Sequence, residues 1–312
     1  MNVYKIKNDV LELELLDYGC TIYSLKRLVS GQWIDLTRQF VSLDDYQNNG
    51  YYLNALVGPH AGRVKDARYQ YNGDVIKLDK NQGSNHLHGG SSGVSFQTFK
   101  ITKMKDGWLQ ATLVHEDVNY SVDYKLSNDT LTIDIQAIPH EPTLINMTQH
   151  TYFNLGQSKT IADHHLTINS HFVSTLDSSN VPTNENSFAT ESVFDFNQTR
   201  QICDHLSKDH PQFKITRHID HPYKINDYPI TLVSPMKDIS LEISSTENFA
   251  VIYFANFFEK SYEFKQYGLA KNHEMIAIEP QGLPNGINLG YNQIHTLDNP
   301  YRQTIKYKIK AA

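Results

Sequence analysis

Val122-Asp123-Tyr124-Lys125-Leu126-Ser127-Asn128-Asp129-Thr130-Leu131-Thr132-Ile133-Asp134-Ile135-Gln136 decides the fold. Leu131, Ile133 and Ile135 alternate with Thr132, Asp134 and Gln136, the period-two pattern of a strand with one buried face. Ser127-Asn128-Asp129 separates this strand from the run at 122–126 with three residues that favour turns. The same grammar recurs outward in both directions. Leu11, Leu13 and Leu15 alternate with Glu12 and Glu14, and Ile305, Tyr307 and Ile309 close the chain. Asn72-Gly73 sits between Tyr69/Tyr71 and residues 75–78, a strong hairpin signal because both turn residues tolerate positive φ. Asp106-Gly107 separates two further runs, and Leu166/Ile168, Leu241/Ile243 and the apolar runs 250–254 and 275–278 add more strands. Helical periodicity is confined to possible short segments at 43–56 and 199–207, and 176–221 reads as long polar loops over a sheet. Many strands, short polar turns and few short helices predict an all-β antiparallel sandwich or barrel, with residues 1–312 forming one domain.

Composition narrows the function. Of 312 residues, 39% are hydrophobic and 20% charged, ordinary for a soluble globular protein. The net charge of −6, with no basic block, argues against a nucleic-acid partner. No run approaches the roughly 20 apolar residues of a membrane span. The first ten residues carry no apolar stretch of secretory length. Cys20 and Cys203 are the only cysteines and do not make a disulfide framework, so the expected setting is the cytoplasm. Tyrosine is abundant, with 19 residues offering flat apolar faces with a polar tip, useful against sugar rings.

Five segments stand out chemically. Residues 145–155, Ile-Asn-Met-Thr-Gln-His-Thr-Tyr-Phe-Asn-Leu, read as one strand, place Asn146, Thr148, His150, Tyr152 and Asn154 on a single face. Uncharged hydrogen-bonding groups around one histidine suit a neutral, hydroxyl-rich ligand, although a polar outer face would look similar. Asn85-His86-Leu87-His88-Gly89-Gly90 puts His86 and His88 on one face if the chain is extended, a pair able to bind a sugar or zinc. Gly58-Pro59-His60-Ala61-Gly62-Arg63 ends in a guanidinium whose fork of donors suits paired oxygens. Met275-Ile276-Ala277-Ile278-Glu279-Pro280-Gln281 carries a carboxylate at the end of an apolar run, where partial desolvation makes a stronger base. Asp220-His221 is a shorter signal, equally compatible with a capped loop.

In their order along the chain, Gly62-Arg63, Asn85 to Gly90, Thr148 to Leu155, Asp220-His221 and Glu279-Pro280-Gln281 with Pro284-Asn285 resemble the aldose 1-epimerase (galactose mutarotase) family. The resemblance spans roughly residues 58–286. It implies one large antiparallel β-sandwich, the galactose mutarotase-like supersandwich, with a sugar on its concave face and neither metal nor organic cofactor. It implies an isomerase that interconverts the α and β anomers of a hexose such as galactose or glucose. Glu279 would be the general base and His150 the general acid, with His150 kept protonated beside carboxylates. Arg63, His86 and Asp220 would hold sugar hydroxyls. The partner implied is a small monosaccharide, and the assembly a monomer or homodimer. The chain departs from the family pattern at Gln149, Pro280 and His218, which bears on the preferred sugar. A non-catalytic carbohydrate-binding sandwich, a mutarotase of phosphorylated sugars and a histidine-rich metal enzyme are the competing readings.

Overall fold

The computed structural model describes residues 1–156, 158–225, 228–258 and 262–311. The alternation at 131–136 becomes the Thr130–Pro139 strand, with Leu131, Ile133, Ile135 and Ala137 buried and their neighbours half-buried. It pairs antiparallel with Val118–Ser127 through a tight turn in which Asn128 takes φ 51°. Its other edge pairs with the C-terminal strand Tyr301–Ala311. These strands form the middle of a nine-stranded antiparallel sheet in the order Lys100–Lys105, Trp108–His115, Val118–Ser127, Thr130–Pro139, Tyr301–Ala311, Ile239–Ser245, Ile230–Val233, His165–Thr167 and Arg200–Gln201. The Asn72-Gly73 hairpin forms as expected, with both residues at positive φ (51° and 90°) between Arg68–Tyr71 and Asp74–Lys77.

A second, six-stranded antiparallel sheet runs Tyr152–Phe153, Ile276–Gln281, Phe249–Tyr253, Asp220–Lys224, Phe172–Leu176 and Pro182–Phe188. A four-stranded meander from Val3–Lys7 to Gln32–Asp35 completes the framework. One hydrophobic cluster joins all three, including Ile133, Leu241 and Tyr307 of the first sheet, Ile252, Ile276 and Ile278 of the second and Leu13 and Ile22 of the meander. Phe153 meets Tyr307 edge-on at 5.2 Å between ring centres. Each large aliphatic side chain fully buried there contributes roughly 1.5–3 kcal/mol. The two large sheets thus pack face to face as a β-sandwich, in line with the sequence expectation.

Three local expectations change. Residues 145–155 are not one strand but two two-residue strands, Thr148–Gln149 and Tyr152–Phe153, each paired to a different partner. The Thr151 N–H donates to the Gln149 carbonyl (2.9 Å), a tight turn that interrupts the alternation. All eleven residues from 145 to 155 are buried, so none belongs to a solvated outer face. Within the supposed loops of 176–221, Pro182–Phe188 is an edge strand and Pro211–Thr216 a short helix. An edge strand has solvent beside it and needs no apolar alternation, and this one begins Pro-Thr-Asn-Glu. The helix carries Pro at its first position and the His210 side chain accepts from the Gln212 N–H, a start signal available in the sequence. Short helical turns do occur at Asp44–Asn48 and Cys203–Leu206, inside the two segments expected to hold them. Among the described residues no helix is long and apolar enough to cross a membrane.

Candidate active site

Register builds the floor of a cleft. Across three neighbouring strands, Pro222 lies opposite Val251 and Val251 opposite Glu279, while Asp220 lies opposite Tyr253 and Phe249 opposite Gln281. Period two then puts Asp220, Pro222, Val251, Tyr253, Glu279 and Gln281 on the face turned away from Ile252, Ile276 and Ile278. All six line a cleft of about 240 Å³, walled by Tyr52, Arg63, Gln82, His88, His150 and Tyr152. Room of that size, with polar groups converging on aromatic walls, is the form of a small-molecule site.

His150, immediately after the Thr148–Gln149 strand, lines the cleft. Gln149 points inward, donating to the Cys20 and Asn54 carbonyls (3.3 and 2.7 Å) and accepting from the Tyr124 hydroxyl (2.8 Å). This family departure is therefore a packing feature outside the cleft lining. His150 Nε2 lies 3.3 Å from Glu279 Oε1, and both side chains are at most 5% exposed. The imidazole packs against Tyr152 (4.9 Å between ring centres) and edge-on to His88 (5.4 Å).

The electrostatics follow from this burial. Desolvation pushes the Glu279 carboxyl well above its ordinary value, the Asp220 charge pushes it further, and Arg63 opposes both. Desolvation also raises Asp220, again against Arg63. Burial pushes His150 down to about 3. This runs against the expectation that His150 stays protonated beside carboxylates, because removal of water outweighs the one backbone hydrogen bond that opposes it. Arg63 is held at the rim by its Nε–H, which donates to Gln82 Oε1 (2.6 Å).

The structure separates the two histidines of the His-x-His pair. His86 is buried and does not line the cleft. Its Nδ1–H donates to the Asp79 carbonyl (2.8 Å), so its Nε2 must accept from His60 Nδ1–H (2.9 Å), and both ring nitrogens are used within the protein. His88 lines the cleft instead. It sits at φ 52° immediately after the Arg63-paired strand His86–Leu87, which breaks the alternation assumed for an extended chain. Its Nδ1 accepts from the Gly62 N–H (3.1 Å), which leaves Nε2 for a ligand. Gly62 stands at φ 74°, and a Cβ there would lie 2.5 Å from Pro284 Cβ, so only glycine lets this backbone come close enough to aim His88.

Of the sequence-derived set, Arg63, His150, Asp220 and Glu279 come together in one cleft and His86 does not. Tyr52, Gln82, Asn180, Tyr253 and Phe257 also line it. No periodic or motif signal marked these, since they arrive on loops and opposed strands from distant parts of the chain. The donor atoms of His88, His150 and Glu279 all lie within 4.8 Å of one another, so these three are also where the described residues could hold a divalent cation.

Fold and site together define a β-sandwich whose cleft pairs a buried carboxyl with an imidazole among polar and aromatic side chains. The aldose 1-epimerase family model matches residues 2–308. The chain is 28% identical to an aldose 1-epimerase of Haemophilus influenzae, covering 96% of this chain and 93% of that one. It is 26% identical to a galactose mutarotase of Sus scrofa, over 91% and 86% of the two chains. Its fold superposes on an aldose epimerase homologue of C. elegans with a TM-score of 0.92 at 22% identity, covering 100% and 99% of the two chains. The chain belongs to the aldose 1-epimerase family, and is an isomerase of that family.

Proposed function

We propose that the protein interconverts the anomers of an unmodified aldose, with Glu279 as base and His150 as acid. The observation that carries this reading is the 3.3 Å contact between His150 Nε2 and Glu279 Oε1 at the floor of a sugar-sized cleft. Opening the ring needs one proton removed from the C1 hydroxyl and one delivered to the ring oxygen. The Glu279 carboxylate takes the hydroxyl proton, the O1 electron pair becomes the second bond of the aldehyde, and the C1–O5 bond breaks. The His150 imidazolium gives its Nε2 proton to O5. Rotation about C1–C2 presents the other carbonyl face, O5 attacks it, and both protons return.

Burial sharpens both partners. A carboxyl pushed up is a stronger base and an imidazolium pushed down a stronger acid. The ion pair that starts the reaction is costly in a dry site, and Arg63 and the close contact offset that cost. The pair's net charge is zero before and after opening, so little charge has to be accommodated along the way. Each positioned proton transfer supplies roughly 10²–10⁴-fold. Arg63, Asp220 and His88 grip hydroxyls away from C1, so C1 itself remains free to turn.

Two competing readings lose support. A phosphorylated sugar needs cations at the far end of the cleft, yet two carboxyls line it against Arg63, and nearby Lys65 is committed to Asp177 at 2.9 Å. A purely binding sandwich has no use for a desolvated Glu–His pair, whose burial lowers stability. The cleft is complete within one chain, so a monomer or a homodimer serves equally. Free Cys20 and Cys203 support a cytoplasmic setting, and the one hydrophobic cluster shared by the three sheets supports a single domain over residues 1–312. Polarimetry of freshly dissolved α-glucose and α-galactose tests the reading. Wild type should speed the approach to equilibrium for at least one sugar and Glu279→Gln should not. Equal acceleration by both proteins would remove Glu279 from its role, and metal analysis of the purified protein tests the His88, His150 and Glu279 alternative.

A further inference from the structure

We propose that Gln281 is a sugar-binding residue, whose side-chain amide holds a ring hydroxyl and helps set which aldose the cleft prefers. This rests on the mutarotase reading above and extends it to a residue with no role there. Gln281 is fully buried and lines the cleft. Neither its Nε2 nor its Oε1 has a hydrogen-bond partner among the described residues. No other buried amide side chain among them lacks partners on both atoms.

Two other fully packed glutamines show what a structural role looks like. Gln149 uses both amide atoms against Tyr124, Cys20 and Asn54. Gln303 donates to the Pro280 carbonyl (2.7 Å) and accepts from the Tyr301 hydroxyl (3.1 Å). A buried amide left unmatched costs about 1–3 kcal/mol, so a glutamine kept at such a position is made for a ligand rather than for the fold.

Position specifies the ligand. Gln281 follows Glu279 by two residues on the same strand and face, about 6.6 Å along the sheet. A pyranose with its C1 hydroxyl at Glu279 spans that distance and brings a ring hydroxyl to the amide. An amide offers a donor and an acceptor without charge, which matches a hydroxyl. Axial and equatorial hydroxyls differ in reach, so one such contact discriminates between epimeric sugars.

Gln281→Leu and Gln281→Met test this by polarimetry at varied concentrations of glucose, galactose and their singly deoxygenated analogues. For the preferred sugar KM should rise about tenfold, the worth of one neutral hydrogen bond, while kcat stays within about threefold. The rise should vanish for the one analogue that lacks the bonded hydroxyl. Thermal midpoints should hold or increase, since an unmatched polar group has been removed. An unchanged KM for every sugar, a fall in kcat alone, or a uniform loss accompanied by a lower midpoint would overturn the proposal. If wild type accelerates none of these sugars, the mutarotase reading fails first. The same sugars' protection against thermal unfolding then reads binding without catalysis, and equal protection of wild type and variant overturns the role of Gln281 by itself.

Discussion

The two large sheets share antiparallel pairing and a common core but differ on their outer faces. In the nine-stranded sheet, Val118–Ser127 and Thr130–Pro139 alternate between buried and partly exposed positions. Their outer face carries Lys125 and Asp134 paired at 3.0 Å, and Lys105 over the Trp108 ring. In the six-stranded sheet, Phe249–Tyr253 and Ile276–Gln281 are buried on both faces. Inward they show Ala250, Ile252, Ile276 and Ile278, and outward Val251, Tyr253, Glu279 and Gln281. The difference lies in what covers them. Segments carrying Tyr52, Arg63, His88, Asn180 and Pro284 roof the second sheet, whereas among the described residues nothing comparable lies over Lys125, which is 45% exposed. Excluding water turns an ordinary outer face into one where a carboxyl becomes basic and an imidazole acidic. One sheet therefore carries stability and the other carries chemistry at some expense of stability.

The contrast is sharpest at Glu279. Glu279→Gln should lower kcat roughly 10³-fold by polarimetry. The folded Glu279 pKa is raised, so stability contributed by its protonated form is present below the ordinary pKa near 4.5 and lost as pH rises towards the folded value. The variant should therefore melt at or above wild type at neutral pH, and a large fall in melting temperature would break the division between the sheets. The converse substitution is Ile133→Ala in the nine-stranded sheet, where Ile133 is fully buried. It should cost about 2–5 kcal/mol in urea unfolding and leave KM unchanged. A changed KM would mean that the two sheets are coupled.

Acid should act mainly through the cleft sheet and its surroundings. Burial pushes His60, His150 and His221 down to about 3. Unfolded imidazoles take up a proton near pH 6.5. Between about pH 6.5 and 3 the unfolded chain therefore binds more protons, and stability falls as pH falls through that window. His221→Gln removes one such proton and should flatten the decline by up to about 1.4 kcal/mol per pH unit in urea titrations. An unchanged slope would show that His221 takes up its proton over the same pH range folded as unfolded. The smallest effect belongs to the solvated face. Lys125→Ala breaks an ion pair whose partners are 45% and 37% exposed and should cost less than about 1 kcal/mol, with activity intact.

Much of this molecule was determined by sequence alone because its signals are local. Period-two alternation at Leu131–Ile133–Ile135 and positive φ at Asn72-Gly73 depend on neighbours one or two residues away, so strands and hairpins could be read directly. The motifs also carried Arg63, His150, Asp220 and Glu279 to one cleft. Tertiary structure decided what depends on approach from afar. His88 rather than His86 faces the cleft because a left-handed residue and the Gly62 N–H turn it there while His60 and Asp79 occupy its neighbour. The Gln149–Thr151 turn that breaks the expected strand is invisible to alternation. The direction of the His150 shift, and the unmatched amide of Gln281, follow from water excluded by segments far apart in the chain, and a linear pattern holds no record of which distant residues will do the excluding.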